Sequence, residues 1–437
     1  MRKINSVLLC LAITVLSCQR GNYSSKSDAN AIKLIKKSEV ERIERTLSAD
    51  DMQGRRTGTP GIEKAADFIS EEFKKTGLQP LSSESNFRQQ FVMIRPKSIS
   101  SSAIFDKQEI DAQNIIAVTS LPDLKINNQS EFEKVFIKTG TQLTTEANKF
   151  IQAKKNYLVI VDTSFSKTFS RLNGLKRQFF KSEISVVFVL STIDPSVYNI
   201  AATQEITEMP LLNIVGILPG KSRKDEYVIF SGHYDHLGYG KAVNGDSLYN
   251  GANDDAAGTT AMIMLAQYFK ALNNNERTLI FAAFTAEEIG GFGAQYFSRQ
   301  LSPDKVMAMF NIEMIGTESK WGKNSAYITG YDKTDMGKIL ARNLTGSIFK
   351  FYPDPYVKEN LFYRSDNATL ARLGVPAHTI STAKMDTELH YHKPGDEIGT
   401  LDLNNMTEII KAIAISSKSI VSGLDSPSRV NPSDLIR

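Results

Sequence analysis

Tyr227-Val228-Ile229-Phe230-Ser231-Gly232-His233-Tyr234-Asp235 is an apolar run that stops abruptly at an imidazole and a carboxylate. Its first four residues are apolar and strand-like, and the polar residues follow at the end of the run. The pattern recurs downstream. Leu279 to Phe284 ends in Thr285-Ala286-Glu287-Glu288, and Val306 to Ile312 ends in Glu313-Met314. Between these runs the spacing predicts a helix over Ala256 to Leu272 and another near Ala294. Strands alternating with helices predict an α/β fold with a largely parallel central sheet. Ligands of open α/β sheets bind beyond the carboxyl ends of the strands. His233, Glu287, Glu288 and Glu313 stand at such ends.

Two further segments carry the same residue types, Gly251-Ala252-Asn253-Asp254-Asp255 and Leu389-His390-Tyr391-His392. Imidazoles and carboxylates gathered at strand ends are the makeup of a hydrolytic zinc site, since zinc takes nitrogen and oxygen ligands and leaves one position open for water. Asp235 is placed to hold the second ring nitrogen of His233. Asp254 or Asp255 could equally cap the helix that follows. Adjacent carboxylates such as Glu287-Glu288 repel at a buried strand end unless metal or protons compensate. Glu313 closes a run apolar enough to be buried, where an unpaired charge is costly. His390 and His392 share one side of an extended segment, and either could be a ligand or both could be structural.

Outward from this region, 437 residues with 41% hydrophobic and 23% charged composition predict a globular chain of two or three domains. The net charge of +4 is small against 52 basic and 48 acidic residues, and no long basic run points to nucleic acid. Residues Ala31 to Leu47 read as a helix. A second helix is marked by Ile62, Ala65, Ala66, Ile69 and Phe73, with the loop Gly54-Arg55-Arg56-Thr57-Gly58-Thr59-Pro60-Gly61 before it and Gly77 to end it. From Arg95 to Glu208 the chain turns β-rich, with runs such as Leu158 to Val161 and Val186 to Leu190. All five His residues lie beyond this stretch, which predicts an inserted domain.

The N-terminus has a basic start, Met1-Arg2-Lys3, and a short apolar run from Ile4 to Leu16, the form of an export signal. Val15-Leu16-Ser17-Cys18 resembles a bacterial lipobox, so residues 1–18 are expected to be a lipoprotein signal peptide, with lipid on Cys18 and a polar tether over 19–30. Cys10 and Cys18 are the only cysteines, and no structural disulfide is expected.

The ordered set of five segments resembles the zinc aminopeptidases of metallopeptidase clan MH, a group that includes glutamate carboxypeptidase and the glutaminyl cyclases. The resemblance covers about Pro210 to Leu424 and, more loosely, the helices from Ala31 to Gly77. It implies a three-layer α/β/α domain made of residues 31–94 and 209–425, with a tail at 426–437. The insert 95–208 resembles a protease-associated domain. Two zinc ions are implied, with His233 and Glu313 on one, Glu288 and His392 on the other, and Asp254 bridging. Asp254 rather than Asp255 matches the bridging position, two residues before Ala256-Ala257-Gly258. Glu287 matches the general base and Tyr391 a residue that hydrogen-bonds the tetrahedral intermediate.

Two positions depart from the family pattern. Glu313 stands where Asp is frequent, and Ser365-Asp366-Asn367 replaces Ser-Asp-His. The function implied is removal of N-terminal residues from peptides by an exported lipoprotein, periplasmic or on the cell surface, with the lipid as its sole membrane contact. A carboxypeptidase, a glutaminyl cyclase or a non-catalytic binding lipoprotein are the alternatives on the same fold.

Overall fold

The computed structural model describes residues 28, 30–81 and 86–435. The expected signal peptide with its lipobox and most of the tether lie outside the described residues. The helix expected over Ala31 to Leu47 is broken. Ile32–Leu34 makes a single turn, Lys36 is extended (φ −121°, ψ 145°), and α1 runs Lys37–Leu47. Ile35 and Val40 are both buried but lie five positions apart, out of phase with one helical face, and the break lets both point inward. Helix α2, Pro60–Thr76, matches expectation: Pro occupies its first turn and Gly77, at φ 76°, donates its N–H to the carbonyls of Phe73 and Lys74.

The remaining elements, in chain order, begin with strands β1 (Arg88–Phe105), β2 (Ile115–Val118) and β3 (Glu133–Ile137), helix α3 (Leu143–Gln152), and strands β4 (Tyr157–Val161), β5 (Val186–Leu190), β6 (Tyr198–Leu218) and β7 (Arg223–His233). They continue with α4 (Ala257–Leu272), β8 (Arg277–Phe284), α5 (Phe292–Ser298), β9 (Val306–Ile312), β10 (Ser325–Ile328), α6 (Met336–Asn343), β11 (Lys350–Pro353), α7 (Asn367–Ala371), β12 (Ala377–Ser381) and α8 (Leu403–Val421). The main sheet runs β11-β10-β12-β9-β7-β8-β6-β1. Its centre, β12-β9-β7-β8, is parallel, whereas β6 beside β8 and β10 beside β12 are antiparallel. The sheet is therefore mixed, which corrects the expectation of a mostly parallel one.

The middles of the central strands are apolar on both faces, as in Val228 to Phe230, Leu279 to Phe284 and Ala308 to Phe310, because both faces are covered. Val228, Phe230, Leu279, Phe281 and Phe310 share one cluster with Leu265 and Phe269 of α4 and Ile413 of α8. Ile229, Ile280, Ala282 and Met309 share the other with Phe297 of α5 and Leu370 of α7. Phe230 stacks between Phe281 and Phe310 at 5.6 and 4.9 Å, and burial of such a ring contributes about 1.5–3 kcal/mol.

Between β1 and β6 the chain builds a second sheet, β2-β5-β4-β3, with parallel pairs at β5/β4 and β4/β3 and its own apolar cores. The long strands β1 and β6 stay paired from Arg88 opposite Ile214 to Phe105 opposite Tyr198, carrying the chain from one sheet to the other. Phe180 of this region packs on Phe91, Phe292 and Tyr296.

One buried acid ties α1 to α4. Glu44 accepts a hydrogen bond from the Thr260 hydroxyl at 2.9 Å. Burial pushes its carboxyl up to about 8, with Thr260 and Arg55 pulling it down and Asp396 adding to the rise. A folded pKa above the ordinary value of about 4.3 means the folded state holds the proton more tightly. The associated stability is complete below about pH 4 and is lost as pH rises through 8. Glu44→Gln should remove this dependence. Its stability relative to the parent, measured by urea unfolding, should rise between pH 5 and pH 9 by about 4 kcal/mol. A constant difference across that range would refute the assignment.

Candidate metal centre

Strand β7 delivers His233, whose Nε2 lies 3.2 Å from Oδ1 of Asp254. The approach depends on a missing side chain. A Cβ on Gly258, in the first turn of α4, would fall 2.1 Å from the carbonyl oxygen of Ile312, so glycine lets the helix start press against the end of β9. Asp254 and Asp255, joined by a cis peptide bond, then diverge. Asp255 turns to the backbone, accepting from the N–H groups of His233 (3.2 Å), Gly258 (3.0 Å) and Met314 (3.1 Å), and staples three segments together. Asp254 faces the imidazoles. Its other oxygen, Oδ2, is 3.2 Å from His392 Nε2, which is 3.1 Å from Glu288 Oε2. Glu313 joins from β9, and donor atoms of His233, Asp254 and Glu313 all lie within 4.8 Å of one another.

The sequence-predicted residues His233, Asp254, Glu288, Glu313 and His392 thus come together. His390 lies instead against Gly395. Tyr391 stacks on His392 with ring centroids 4.0 Å apart and lines a pocket with Glu313, Met314, Tyr327 and Arg364. Glu287 is partly buried. Burial raises its carboxyl well above the usual range, Glu313, Asp366 and Glu288 add to the rise, and His233 opposes it. Asp235 reaches His233 differently from the expectation. Nδ1 of His233 is 3.1 Å from the main-chain oxygen of Asp235 and 3.8 Å from its carboxylate, which accepts the N–H of Glu287 at 3.0 Å. Asp235 therefore ties the end of β7 to the loop carrying Glu287 and Glu288.

His236 is the residue that sequence reasoning left without a role. It is buried, and its Nδ1 sits 2.7 Å from Glu288 Oε1. An odd offset from His233 would send it to the opposite face of an extended strand. The chain leaves β7 at His233, and the turn brings His236 back to the same cluster. Two donors bound to one zinc at about 2.0–2.1 Å stand roughly 3.3 Å apart in a tetrahedron. The contacts of 3.1–3.2 Å from Asp254 to His233 and His392, and from His392 to Glu288, suit shared coordination. At 2.7 Å, His236 to Glu288 is a hydrogen bond, one that orients the carboxylate. His236→Gln should weaken zinc affinity by about 10–100-fold while leaving some metal bound. Competition with a chelating dye measures this, and parent-like affinity would exclude the role.

Asn367, where the family pattern has His, is spent inside the fold. Its amide donates to the carbonyls of Phe362 and Ala377 and accepts from the Thr379 hydroxyl. Asp366 is buried with neither carboxylate oxygen hydrogen-bonded, and burial pushes it up to about 8.

Electrostatics test whether the donors suit a cation. Burial raises Asp235 to about 7 and also raises Glu313, with other carboxylates adding to both. Burial alone would lower His392, yet Asp254 and Glu288 lift it to about 10. Nε2 of both His233 and His236 is buried without a hydrogen bond. An excess of buried carboxylate around imidazole nitrogens with no partner is the condition a divalent cation relieves. The residues fit zinc.

The strand ends of this mixed α/β sheet thus gather a donor set suited to a divalent cation, at the edge where open α/β sheets bind ligands. Residues 213–416 match the model of peptidase family M28. It is similar to Aminopeptidase YwaD of Bacillus subtilis, 31% identical over 117 residues, 26% of this chain and 23% of the relative. A probable zinc metalloprotease of Pyrenophora tritici-repentis is 35% identical over 109 residues, 24% of each. The matched part spans about a quarter of the length of these curated relatives. The fold is shared with a zinc aminopeptidase from Bacillus subtilis, at 17% identity and TM-score 0.51, covering 92% of this chain and 99% of that one. It is also shared with an aminopeptidase from Aneurinibacillus sp. strain AM-1, at 16% identity and TM-score 0.51, covering 94% and 98%.

Proposed function

We propose that the chain is a zinc-dependent exopeptidase that removes N-terminal residues from peptides. The observation that carries this reading is the convergence of His233, Asp254, Glu288, Glu313 and His392 at the strand ends, with Glu287 beside them. Two donor groups, His233-Asp254-Glu313 and His236-Asp254-Glu288, meet at Asp254, and His392 touches both Asp254 and Glu288, which supports two zinc ions sharing that carboxylate. His233 and Glu313 would hold one ion, and Glu288 and His392 the other. Bound zinc would polarise the scissile carbonyl and make water acidic enough to ionise near neutral pH.

The chain's own groups do the rest. Glu287 accepts the proton of the attacking water and delivers it to the leaving amine, and its burial makes it a stronger base than a free carboxylate. The bond from its N–H to Asp235 holds that loop in place. The Tyr391 hydroxyl donates a hydrogen bond to the oxyanion as it forms. Helices on either face of the sheet complete a three-layer peptidase domain, and we read residues 95–208 as its insert. The lipobox at Val15 to Cys18 supports an exported protein anchored by lipid, periplasmic or at the cell surface.

Incubating the purified protein with a mixed peptide library, with and without chelator, tests the reading. Mass spectrometry should show chelator-sensitive shortening from the N-terminus. Shortening from the C-terminus, or ammonia release from N-terminal glutamine, would replace it with one of the alternatives. Partition of the full-length bacterial product into the aqueous rather than the detergent phase would refute the lipid anchor.

A further inference from the structure

The loop from Gly54 to Gly61 reads in sequence as a connection, yet Arg55 within it is completely buried. Its guanidinium donates to four backbone carbonyls: Nε to Tyr234 (2.9 Å), Nη1 to Leu47 (2.7 Å) and Asn250 (2.6 Å), and Nη2 to Gly251 (2.8 Å). Its own carbonyl accepts the N–H of His236 at 3.3 Å. Tyr234 lies between His233 and His236, and Gly251 lies three residues before Asp254. One side chain therefore grips both loops that bring imidazole and bridging carboxylate together. Its seat is built for it. A Cβ on Gly54, at φ 59°, would fall 2.2 Å from the carbonyl oxygen of Tyr249, so the backbone of the two loops is in close contact there.

We propose that Arg55 is a positioning residue that sets the spacing between the His233–His236 turn and the Asp254 loop, and through it the metal-binding geometry. This rests on the reading of the cluster as a zinc site. Arginine presents five donors in a rigid planar fork, whereas lysine is a point charge with three rotatable donors and cannot span the four carbonyls. Without the fork, three of the freed carbonyls belong to the site loops, and those loops lose the shared reference that fixes them. Asp396 supports the same frame, its carboxylate accepting the N–H groups of Asn253 (2.8 Å) and Asp254 (3.0 Å).

The test compares the parent chain with Arg55→Lys and Arg55→Gln, and with Leu47→Ala as a control. Leu47→Ala loosens the core beside Arg55 but keeps the carbonyl that Arg55 binds. Zinc affinity is read by dye competition, thermal midpoint in excess chelator, and kcat and KM on a peptide that the parent cleaves. Both Arg55 variants should bind zinc at least about tenfold more weakly, with kcat reduced and KM within about threefold of the parent. Leu47→Ala should lose a comparable thermal midpoint yet keep parent-like zinc affinity. Folded Arg55 variants with parent affinity would overturn the proposal, as would equal zinc weakening in Leu47→Ala. A parent chain that binds no zinc would overturn the metal-site reading itself, which separates the two failures. Should one Arg55 variant not fold, the other is judged by the same criteria. If neither folds, Arg55 is required by the fold as a whole and the specific role falls.

Discussion

Glu287→Gln should purify with the parent's zinc content and turn over peptide roughly 10²- to 10⁴-fold more slowly. The substitution keeps the size of the side chain and removes its ability to take a proton. The carboxylate assigned to the metal is its neighbour Glu288, whose contact with His392 at 3.1 Å and with His236 at 2.7 Å does not involve Glu287. The loop is held by the main-chain N–H of residue 287 on Asp235, which the mutation leaves in place. Burial holds the Glu287 carboxyl well above its ordinary value, whereas His236 and His392 help hold that of Glu288 below it, so Glu287 is the more basic of the two. Metal analysis and steady-state kinetics on one preparation decide the matter. Unchanged turnover would remove Glu287 from the reaction, and lost zinc would move it into the coordination set.

The second large effect is expected at Asp254. Its two oxygens face different partners, Oδ1 toward His233 and Oδ2 toward His392, and it belongs to both groups of donors able to hold a cation. Asp254→Asn should therefore cost both ions at once. Zinc content after gel filtration should fall to near zero, and activity should be lost with it. Glu313→Gln touches one group and should leave about one equivalent bound, held by the carboxylate and imidazole donors that remain. Elemental analysis of the two variants side by side gives the answer. An Asp254→Asn protein that keeps its full zinc complement would show that the two groups do not share this carboxylate.

Strands β7, β8 and β9 were legible because burial on both faces makes their middles continuous apolar runs, after which the imidazole and carboxylates stand out. The ligand candidates were legible for the same reason, since an imidazole or carboxylate at such an end has no apolar explanation. His236 was hidden by a turn that reverses the facing expected from an extended chain. Arg55 was hidden because a loop rich in glycine reads as exposed, and a buried arginine is recognisable only once its carbonyl partners, nearly two hundred positions away, are known. The antiparallel neighbour of β8 was obscured because β6 is one unbroken strand from Tyr198 to Leu218, while composition changes in its middle, near Glu208. The break in the first helix escaped notice because Ile35 and Val40 each suit a helix and conflict only in phase.

The ribbon formed by β1 and β6 has a bearing on how this architecture can vary. Its far end places Phe105 opposite Tyr198, so residues 106–197 leave and rejoin the frame at facing positions. A two-residue turn of the Asn-Gly kind could close that gap and leave a plain hairpin in register. The intervening unit is in this sense a cartridge on a fixed socket. A unit of another shape would have to refill the seat of Phe180 on Phe91 and Tyr296 and cover β6 from Asn199 to Thr203, where residues 123–127 pair here, while the strand ends bearing His233 and Glu288 lie outside it.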